Sequence, residues 1–145
     1  MKVKELMTQP VIQIAPGESV AVAARTLTHY NVGALPVCNA GGTLCGMVTD
    51  RDLVIRCVAA GKDPGKTAVR EVMTGQVACA APDMEISVAA HLMGSRQVRR
   101  LPVVENGRLC GMVSLGDLTK REESMWDVAD VLSDVTGNIS RPDGW

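Results

Sequence analysis

Two segments of this sequence place a hydroxyl side chain three residues before a carboxylate, where an apolar run ends. Thr49 and Asp52 form the first pair, within GMVTDRDL, and Ser114 and Asp117 form the second, within GMVSLGDL. A carboxylate in such a position can accept two hydrogen bonds from a ribose diol, and the start of a helix favours a phosphate nearby. One interpretation is therefore that both pairs hold a nucleoside or nucleotide.

The same pairs also fit a local role, the capping box of a helix. In it the hydroxyl accepts from a first-turn N–H, and the residue at the third helical position reaches back to the cap. Aspartate reaches back less readily than the usual Glu or Gln, which favours binding, and capping does not exclude binding. Both interpretations stay open.

Arg99 and Arg100 are adjacent cations with forked donors suited to phosphate. The alternative is a solvated pair with a surface partner such as Glu105. Arg51 stands where the second motif has Gly116, and it is either a secondary phosphate contact or a solvated side chain.

Few other residues suggest catalysis or metal binding. His29 and His91 lie in no ligand spacing, and no Ser-His-Asp, Cys-His or paired-carboxylate pattern recurs. The cysteines form an odd set without Cys-x-x-Cys, so we interpret them as reduced, small hydrophobes. They are Cys38, Cys45, Cys57, Cys79 and Cys110. We therefore expect no enzyme activity, no catalytic cofactor and no metal.

Composition narrows the class of protein further. With 46% hydrophobic and 21% charged residues, the chain of 145 residues is globular rather than disordered. A net charge of −1 and three aromatic residues, with no Phe, argue against nucleic acid as a partner. No apolar run approaches the roughly 20 residues of a membrane span, and no signal peptide begins the chain. We expect a cytoplasmic protein.

The two motifs belong to an internal repeat. The matched segments are Val3-Lys-Glu-Leu-Met-Thr8 with Val69-Arg-Glu-Val-Met-Thr74, Leu35-Pro-Val37 with Leu101-Pro-Val103, and Leu44-Cys-Gly-Met-Val48 with Leu109-Cys-Gly-Met-Val113. The shift is the same throughout, apart from a one-residue deletion in a turn. A repeat in register at this spacing defines the organisation of the fold.

Each repeat is predicted to read β-α-β-β-α. A short β segment, at 11–14 or 77–80, precedes an alanine-rich helix, with Ser19 and Asp83 as N-caps. Two strands then form a hairpin, for which Asn106-Gly107 is a strong signal in the second repeat. The second helix of each repeat begins directly at the hydroxyl of the motif.

A single repeat is too small to bury a sufficient core, so both are expected to pack about a pseudo-twofold axis in one mixed α/β (α+β) fold. Met125, Val128 and Leu132 follow at helical spacing and predict a C-terminal helix that either caps the module or meets another subunit. The predicted boundaries are 1–62 for the first repeat, 63–67 for a linker, 68–121 for the second repeat, 122–136 for the helix and 137–145 for a tail.

The doubled pattern Met-Thr, Leu-Pro-Val and Gly-Met-Val-(Thr/Ser)-x-x-Asp-Leu resembles the cystathionine-β-synthase (CBS) domain, paired in tandem as a Bateman module. The resemblance covers residues 3–121. It implies two clefts between the repeats that bind adenosine derivatives, namely AMP, ADP, ATP or S-adenosylmethionine. It also implies a regulatory sensor rather than a catalyst.

By that resemblance, each cleft combines the hydroxyl and aspartate of one repeat with the Met-Thr strand and the segment before Leu-Pro-Val of the other. Cleft one is expected to contain Thr49, Asp52, Thr74, Val77, Val98, Arg99 and Arg100. Cleft two is expected to contain Thr8, Val11, Val32, Gly33, Ala34, Ser114 and Asp117.

The two arginines suit cleft one to a nucleotide, whereas Gly33 and Ala34 suit cleft two to an uncharged nucleoside part or to no ligand. The resemblance further implies homodimers that meet through their helices, and regulation of a separate protein of unknown identity. The alternative is a structural dimerisation module whose clefts are empty. The choice among adenosine ligands, and any accompanying Mg²⁺, stay open.

Overall fold

A computed structural model describes residues 1–119. Its helices and strands are α1 (Val20–Tyr30), β1 (Ala34–Cys38), β2 (Leu44–Thr49), α2 (Asp50–Leu53), α3 (Ile86–Arg96), β3 (Arg100–Glu105), β4 (Arg108–Ser114) and α4 (Leu115–Leu118). Strands β1 and β2 form one two-stranded sheet, and β3 and β4 form another. The predicted mixture of helices and short antiparallel hairpins is confirmed. The predicted C-terminal helix and tail lie outside the described residues.

The chain forms two compact units that do not follow the sequence repeats. The first unit comprises Ile12–Val77 together with Gly107–Leu109. Among residues 1–119, the second unit comprises Met1–Val11, Ala78–Asn106 and the segment from Cys110 to Thr119. Each unit therefore takes its Met-Thr segment from the start of the other sequence repeat.

Each hairpin has a pairing register or a turn conformation that its sequence explains. In the first, Leu35 pairs with Val48 and Val37 with Gly46, with an irregularity before Cys38. In the second, Asn106 and Gly107 both have positive φ, at 54° and 79°. That pair of conformations is what a two-residue turn between right-twisted strands requires. The predicted Asn-Gly turn is confirmed.

The first long helix of each unit starts differently. At α1 the Ser19 hydroxyl accepts a hydrogen bond from the Val22 N–H at 3.2 Å, as predicted. Helix α3 begins after Glu85, whose side chain makes no capping bond. The prediction of Asp83 as N-cap is therefore wrong; its carboxylate instead accepts a hydrogen bond from the Lys4 ammonium at 2.9 Å.

The β segment expected before each of these helices is reduced to a single bridging residue. Ile14 pairs in parallel with Val37, and Ala80 pairs with Val103. The Ile14 N–H donates to the Pro36 carbonyl at 3.0 Å. Each bridging residue lies two positions before a proline, which has no N–H to extend the ladder.

Each unit has its own apolar core. The core of the first unit contains Ile14, Val20, Ala23, Leu27, Leu35, Val37, Val48, Leu53, Cys57, Val69 and Val72. The core of the second contains Val3, Leu6, Ala80, Ile86, Ala89, Ala90, Met93, Leu101, Val103, Val113, Leu115 and Leu118. Among the helices of residues 1–119, none combines the length and apolar character that a membrane span requires.

In each unit the Met-Thr segment lies directly against the middle of a hairpin strand. Thr74 and Met47 exchange two backbone hydrogen bonds, of 2.8 and 3.0 Å, and Thr8 and Met112 exchange two of 2.7 and 3.2 Å. This close approach requires glycine on the strand. A Cβ on Gly46 would overlap the Thr74 carbonyl oxygen.

Replacing Gly46 with alanine should therefore destabilise the protein by about 1–3 kcal/mol, the usual range for an overpacked site. Urea unfolding followed by circular dichroism measures the change. Gly75→Ala is the matched control, because a Cβ there meets nothing within 4 Å. Equal unfolding midpoints for the two variants would contradict the close approach.

The Lys4–Asp83 contact predicts a measurable titration effect. The hydrogen bond from Lys4, and then its charge, lower the pKa of Asp83. Because the folded-state pKa is depressed, the stabilising contact is present above the ordinary aspartate value and is lost as pH falls through the lowered one. Both side chains are exposed, so the shift should shrink in high salt.

An NMR titration of the Asp83 carboxyl should give a midpoint below the usual value in the native protein and a higher midpoint in Lys4→Met, where the largest lowering contribution is removed. Lys62→Met, which removes a different exposed ammonium, should leave the Asp83 midpoint where it is. An unchanged midpoint in Lys4→Met would show that the contact does not form in solution.

Candidate functional site

The first hydroxyl–carboxylate pair lies at the junction between β2 and α2. The Thr49 hydroxyl accepts a hydrogen bond from the Asp52 N–H at 3.1 Å, and Asp52 Oδ2 accepts one from the Thr49 N–H at 3.0 Å. Thr49 is extended, with φ −119° and ψ 163°. In this conformation its N–H faces the Asp52 carboxylate in the first turn of the helix. This is a reciprocal capping box.

The second pair repeats the arrangement between β4 and α4. Ser114 Oγ accepts from the Asp117 N–H at 3.1 Å, and Asp117 Oδ2 accepts from the Ser114 N–H at 2.8 Å. The capping interpretation is thus confirmed at both junctions. Aspartate was expected to reach back less readily than Glu or Gln, and it nevertheless does so at both junctions, where the cap residue is extended.

Neither carboxylate is turned out to water. Asp117 is 8% exposed, and the Asp52 side chain is 14% exposed. Capping commits one oxygen of each carboxylate, Oδ2. At Asp52 the other oxygen, Oδ1, lies 3.8 Å from Nε of Arg56. At Asp52 both interpretations of the motif therefore remain compatible, because the cap uses Oδ2 and not Oδ1.

The predicted Met-Thr residues are found in the same units as these junctions. Thr74, through its bridge to Met47, lies in the first unit with Thr49 and Asp52. Thr8 is bridged to Met112 in the second unit, where Ser114 and Asp117 are also located.

The segment before each Leu-Pro-Val is tied to the junction of its own unit. The Asp50 N–H donates to the Gly33 carbonyl at 3.1 Å, and the Leu115 N–H donates to the Arg99 carbonyl at 2.7 Å. The backbone at Arg99 is thus next to the Ser114 junction, and that at Gly33 is next to the Thr49 junction.

The structure groups the remaining predicted site residues by unit. In the first unit are Val32, Gly33, Ala34 and Val77, and in the second are Val11, Val98, Arg99 and Arg100. The association of Arg99 and Arg100 with Thr49 and Asp52, and that of residues 32–34 with Ser114 and Asp117, stay predictions.

The exposure of these residues differs. Thr8, Val32, Thr74, Arg99 and Arg100 are exposed, whereas Val11, Gly33, Ala34, Val77 and Val98 are partly buried. The two arginines are thus accessible to an anion.

Sequence reasoning missed one residue at the first junction, Arg56. It lies four residues after Asp52 on the same helical face, a spacing at which oppositely charged side chains meet. That spacing was the available signal. Its guanidinium also contacts the carbonyls of Val72 and Met73, and nothing in the local sequence indicates this.

The five cysteines are buried or partly buried, as expected of small hydrophobic residues. Cys38 and Cys57 are buried, and burial, with a smaller contribution from Cys45, raises the pKa of Cys38 to about 11. Burial also raises the pKa of Cys79 and Cys110. A thiol with a raised pKa holds little thiolate at neutral pH and is a poor nucleophile. Within residues 1–119, no group of three or more His, Cys, Asp or Glu side chains is placed to hold a metal ion.

Two solved structures are similar in fold to most of this chain. The crystal structure of Hypoxic Response Protein I with two coordinated zinc ions has a TM-score of 0.78 and 31% identity, covering 83% of this chain and 98% of that one. The CBS domain pair of protein MJ0100, in complex with 5-methylthioadenosine and S-adenosyl-L-methionine, has a TM-score of 0.72 and 27% identity, covering 83% and 94%.

Sequence comparison gives the same result over most of the chain. CBS domain-containing protein YhcV of Bacillus subtilis is 39% identical over 134 residues, covering 92% of this chain and 94% of the relative. The family model for the CBS domain matches twice, at residues 3–58 and 69–124. The chain therefore belongs to the CBS domain family and carries two CBS domains in tandem.

Proposed function

We propose that the protein is a regulatory sensor that binds an adenosine derivative and acts on a separate partner protein. AMP, ADP and ATP are the first candidates, and S-adenosylmethionine is the next. The ligand is regulatory rather than a catalytic cofactor, and the protein is not an enzyme. A cytoplasmic location belongs to the same proposal, because five free cysteines suit a reducing compartment.

The observation that carries the proposal is the position of the two aspartates. Each is held by a backbone N–H through Oδ2 and is sheltered from water, and the arrangement occurs in both units. A shielded carboxylate of fixed orientation is suited to the two hydroxyls of a ribose. The adenosine ligands of the MJ0100 domain pair support the choice of ligand class.

Arg99 and Arg100 are the proposed phosphate contacts. Both are exposed, and the backbone of Arg99 is fixed by its hydrogen bond to Leu115. The planar guanidinium can present two donors to one phosphate, and its fixed fork loses less side-chain entropy per hydrogen bond.

A thermal-shift experiment with AMP, ADP, ATP and S-adenosylmethionine tests the proposal. A ligand present at 100 times its Kd should stabilise the folded state by about 2.7 kcal/mol, which raises Tm by several degrees. Asp52→Asn should reduce the shift, because the amide can still accept from Thr49 N–H while losing the charge that binds the diol.

Asp63→Asn is the control for that substitution. It makes the same acid-to-amide change in the connector, where Asp63 accepts from the Gly65 N–H. No shift with any of the four ligands at millimolar concentration would defeat the sensor proposal.

A second candidate function is ligand-independent assembly, and one surface favours it. Val54, Ile55 and Val58 follow α2 in a single turn and are 58%, 46% and 64% exposed. Three neighbouring apolar side chains on a helical surface are suited to contact with another chain. A homodimer built through this surface fits that observation.

Light scattering distinguishes the two functions. A structural dimerisation module should have the same mass with and without AMP, and Val58→Lys should lower the mass towards that of a monomer. Val88→Lys is the control, because Val88 is 51% exposed but lies on α3. A monomer mass for the native chain would contradict this second function.

A further inference from the structure

Arg56 lies between two parts of the Thr49 junction. Its Nε is 3.8 Å from Asp52 Oδ1, and its Nη1 donates hydrogen bonds to the carbonyls of Met73 at 3.1 Å and Val72 at 3.3 Å. One guanidinium therefore contacts both the carboxylate of the capping box and the segment that ends at Thr74. All these groups belong to the first unit.

The backbone explains how one side chain reaches both places. Asp52 and Arg56 are one helical turn apart, which puts them on the same face. Arg56 lies in the π-helical turn Val54–Val58 that continues α2, and the Ala59 N–H closes this turn on the Val54 carbonyl at 2.8 Å. Met73 and Val72 lead into Thr74, which is fixed to β2 by its two hydrogen bonds with Met47.

Arg56 faces the oxygen of Asp52 that the capping box does not use. The Thr49 N–H holds Oδ2 of Asp52, and Arg56 lies on the side of Oδ1. A carboxylate that accepts two hydroxyl hydrogen bonds at once must keep its plane fixed, because a small rotation misaligns both. Thr49 holds Oδ2 through a hydrogen bond, and the Arg56 guanidinium lies 3.8 Å from Oδ1, so the two groups act on opposite oxygens of the carboxylate.

We propose that Arg56 is a positioning residue for ribose recognition by Asp52. It orients the carboxylate plane and ties it to the Met73–Thr74 segment, and it does not contact the ligand itself. This inference rests on the proposed function, since it assumes an adenosine ligand at the Thr49 junction.

The role requires arginine rather than any cation. The guanidinium carries five N–H donors in a planar fork, so it can face a carboxylate with one edge and two carbonyls with another. A lysine ammonium is a compact point charge and cannot span the same three acceptors.

The test compares AMP with 2′-deoxy-AMP, which differ only by one hydroxyl of the diol. Binding to the full chain is followed by NMR at the backbone amide of Asp52, so that the affinity is read at this junction. The native protein should prefer AMP, because an acceptor built for a hydroxyl is left unpaired by the deoxy ligand.

Arg56→Ala should weaken AMP binding by about tenfold, because both hydroxyl hydrogen bonds to the charged carboxylate are then poorly aligned. 2′-Deoxy-AMP keeps only one of these bonds and should weaken by about threefold, so the preference for AMP is reduced by about threefold. A merely structural role would weaken both ligands equally and leave their ratio unchanged, and that result would overturn the inference.

Two further variants complete the test. Arg56→Lys keeps the charge and the aliphatic stem, so it should fold even where the alanine variant does not, and it should retain an intermediate preference. An unchanged preference in Arg56→Lys would also overturn the inference. Arg25→Ala removes an exposed arginine from α1 of the same unit and should alter neither affinity.

The outcomes separate this inference from the proposed function. If the native protein binds neither ligand, both fail together. If it binds AMP with a ribose preference that survives in both Arg56 variants, the sensor function stands and the positioning role of Arg56 is refuted.

Discussion

The structure depends on a pair of backbone hydrogen bonds between a Met-Thr segment and a glycine-containing strand. Thr74 with Met47, and Thr8 with Met112, make these bonds, and the glycine before each methionine leaves room for them. Each unit is completed in this way by residues that begin the other sequence repeat. A sequence repeat is therefore not a structural unit, because the segment that opens it is hydrogen-bonded elsewhere.

The same strand continues directly into the helix that carries the aspartate, so the bonds that fix the strand also fix the candidate site. At this junction one side chain serves two purposes. Asp52 stabilises the start of α2 through Oδ2, and its second oxygen remains for other partners. Capping immobilises the carboxylate, and an immobilised acceptor loses less entropy when it binds a ligand. The capping and binding interpretations of the motif are thus complementary.

Local patterns predicted the parts of this fold that local forces determine. The hairpins, the Ser19 cap and the reciprocal caps at Thr49 and Ser114 all follow from turn and capping chemistry within a few residues. The predictions that failed involve contacts between residues that are far apart in the sequence. Helix α3 begins after Glu85 rather than after Asp83, and the Asp83 carboxylate accepts a hydrogen bond from Lys4, which lies far away in the sequence. Arg56 was missed because two of its three partners are backbone carbonyls. Every residue has a backbone carbonyl, so the sequence does not indicate which ones a side chain will contact.

The two junctions have the same backbone hydrogen bonds but different charged residues, and this difference in charge matters most for the choice of ligand. In both, the first helical N–H after the cap donates to the residue two positions before Leu-Pro-Val. That residue is Gly33 in one unit and Arg99 in the other, and the donor is Asp50 or Leu115. The carboxylate of Asp50 would lie 3.8 Å from a Cβ on Gly33. The Thr49 junction therefore has a negative charge near this position, whereas the Ser114 junction has the positively charged Arg99. Asp50 is partly offset in the first unit by Arg56, which adds a positive charge 3.8 Å from Asp52. The two junctions thus have different local charges, and equal hydrogen bonding in the two units does not imply equal ligands.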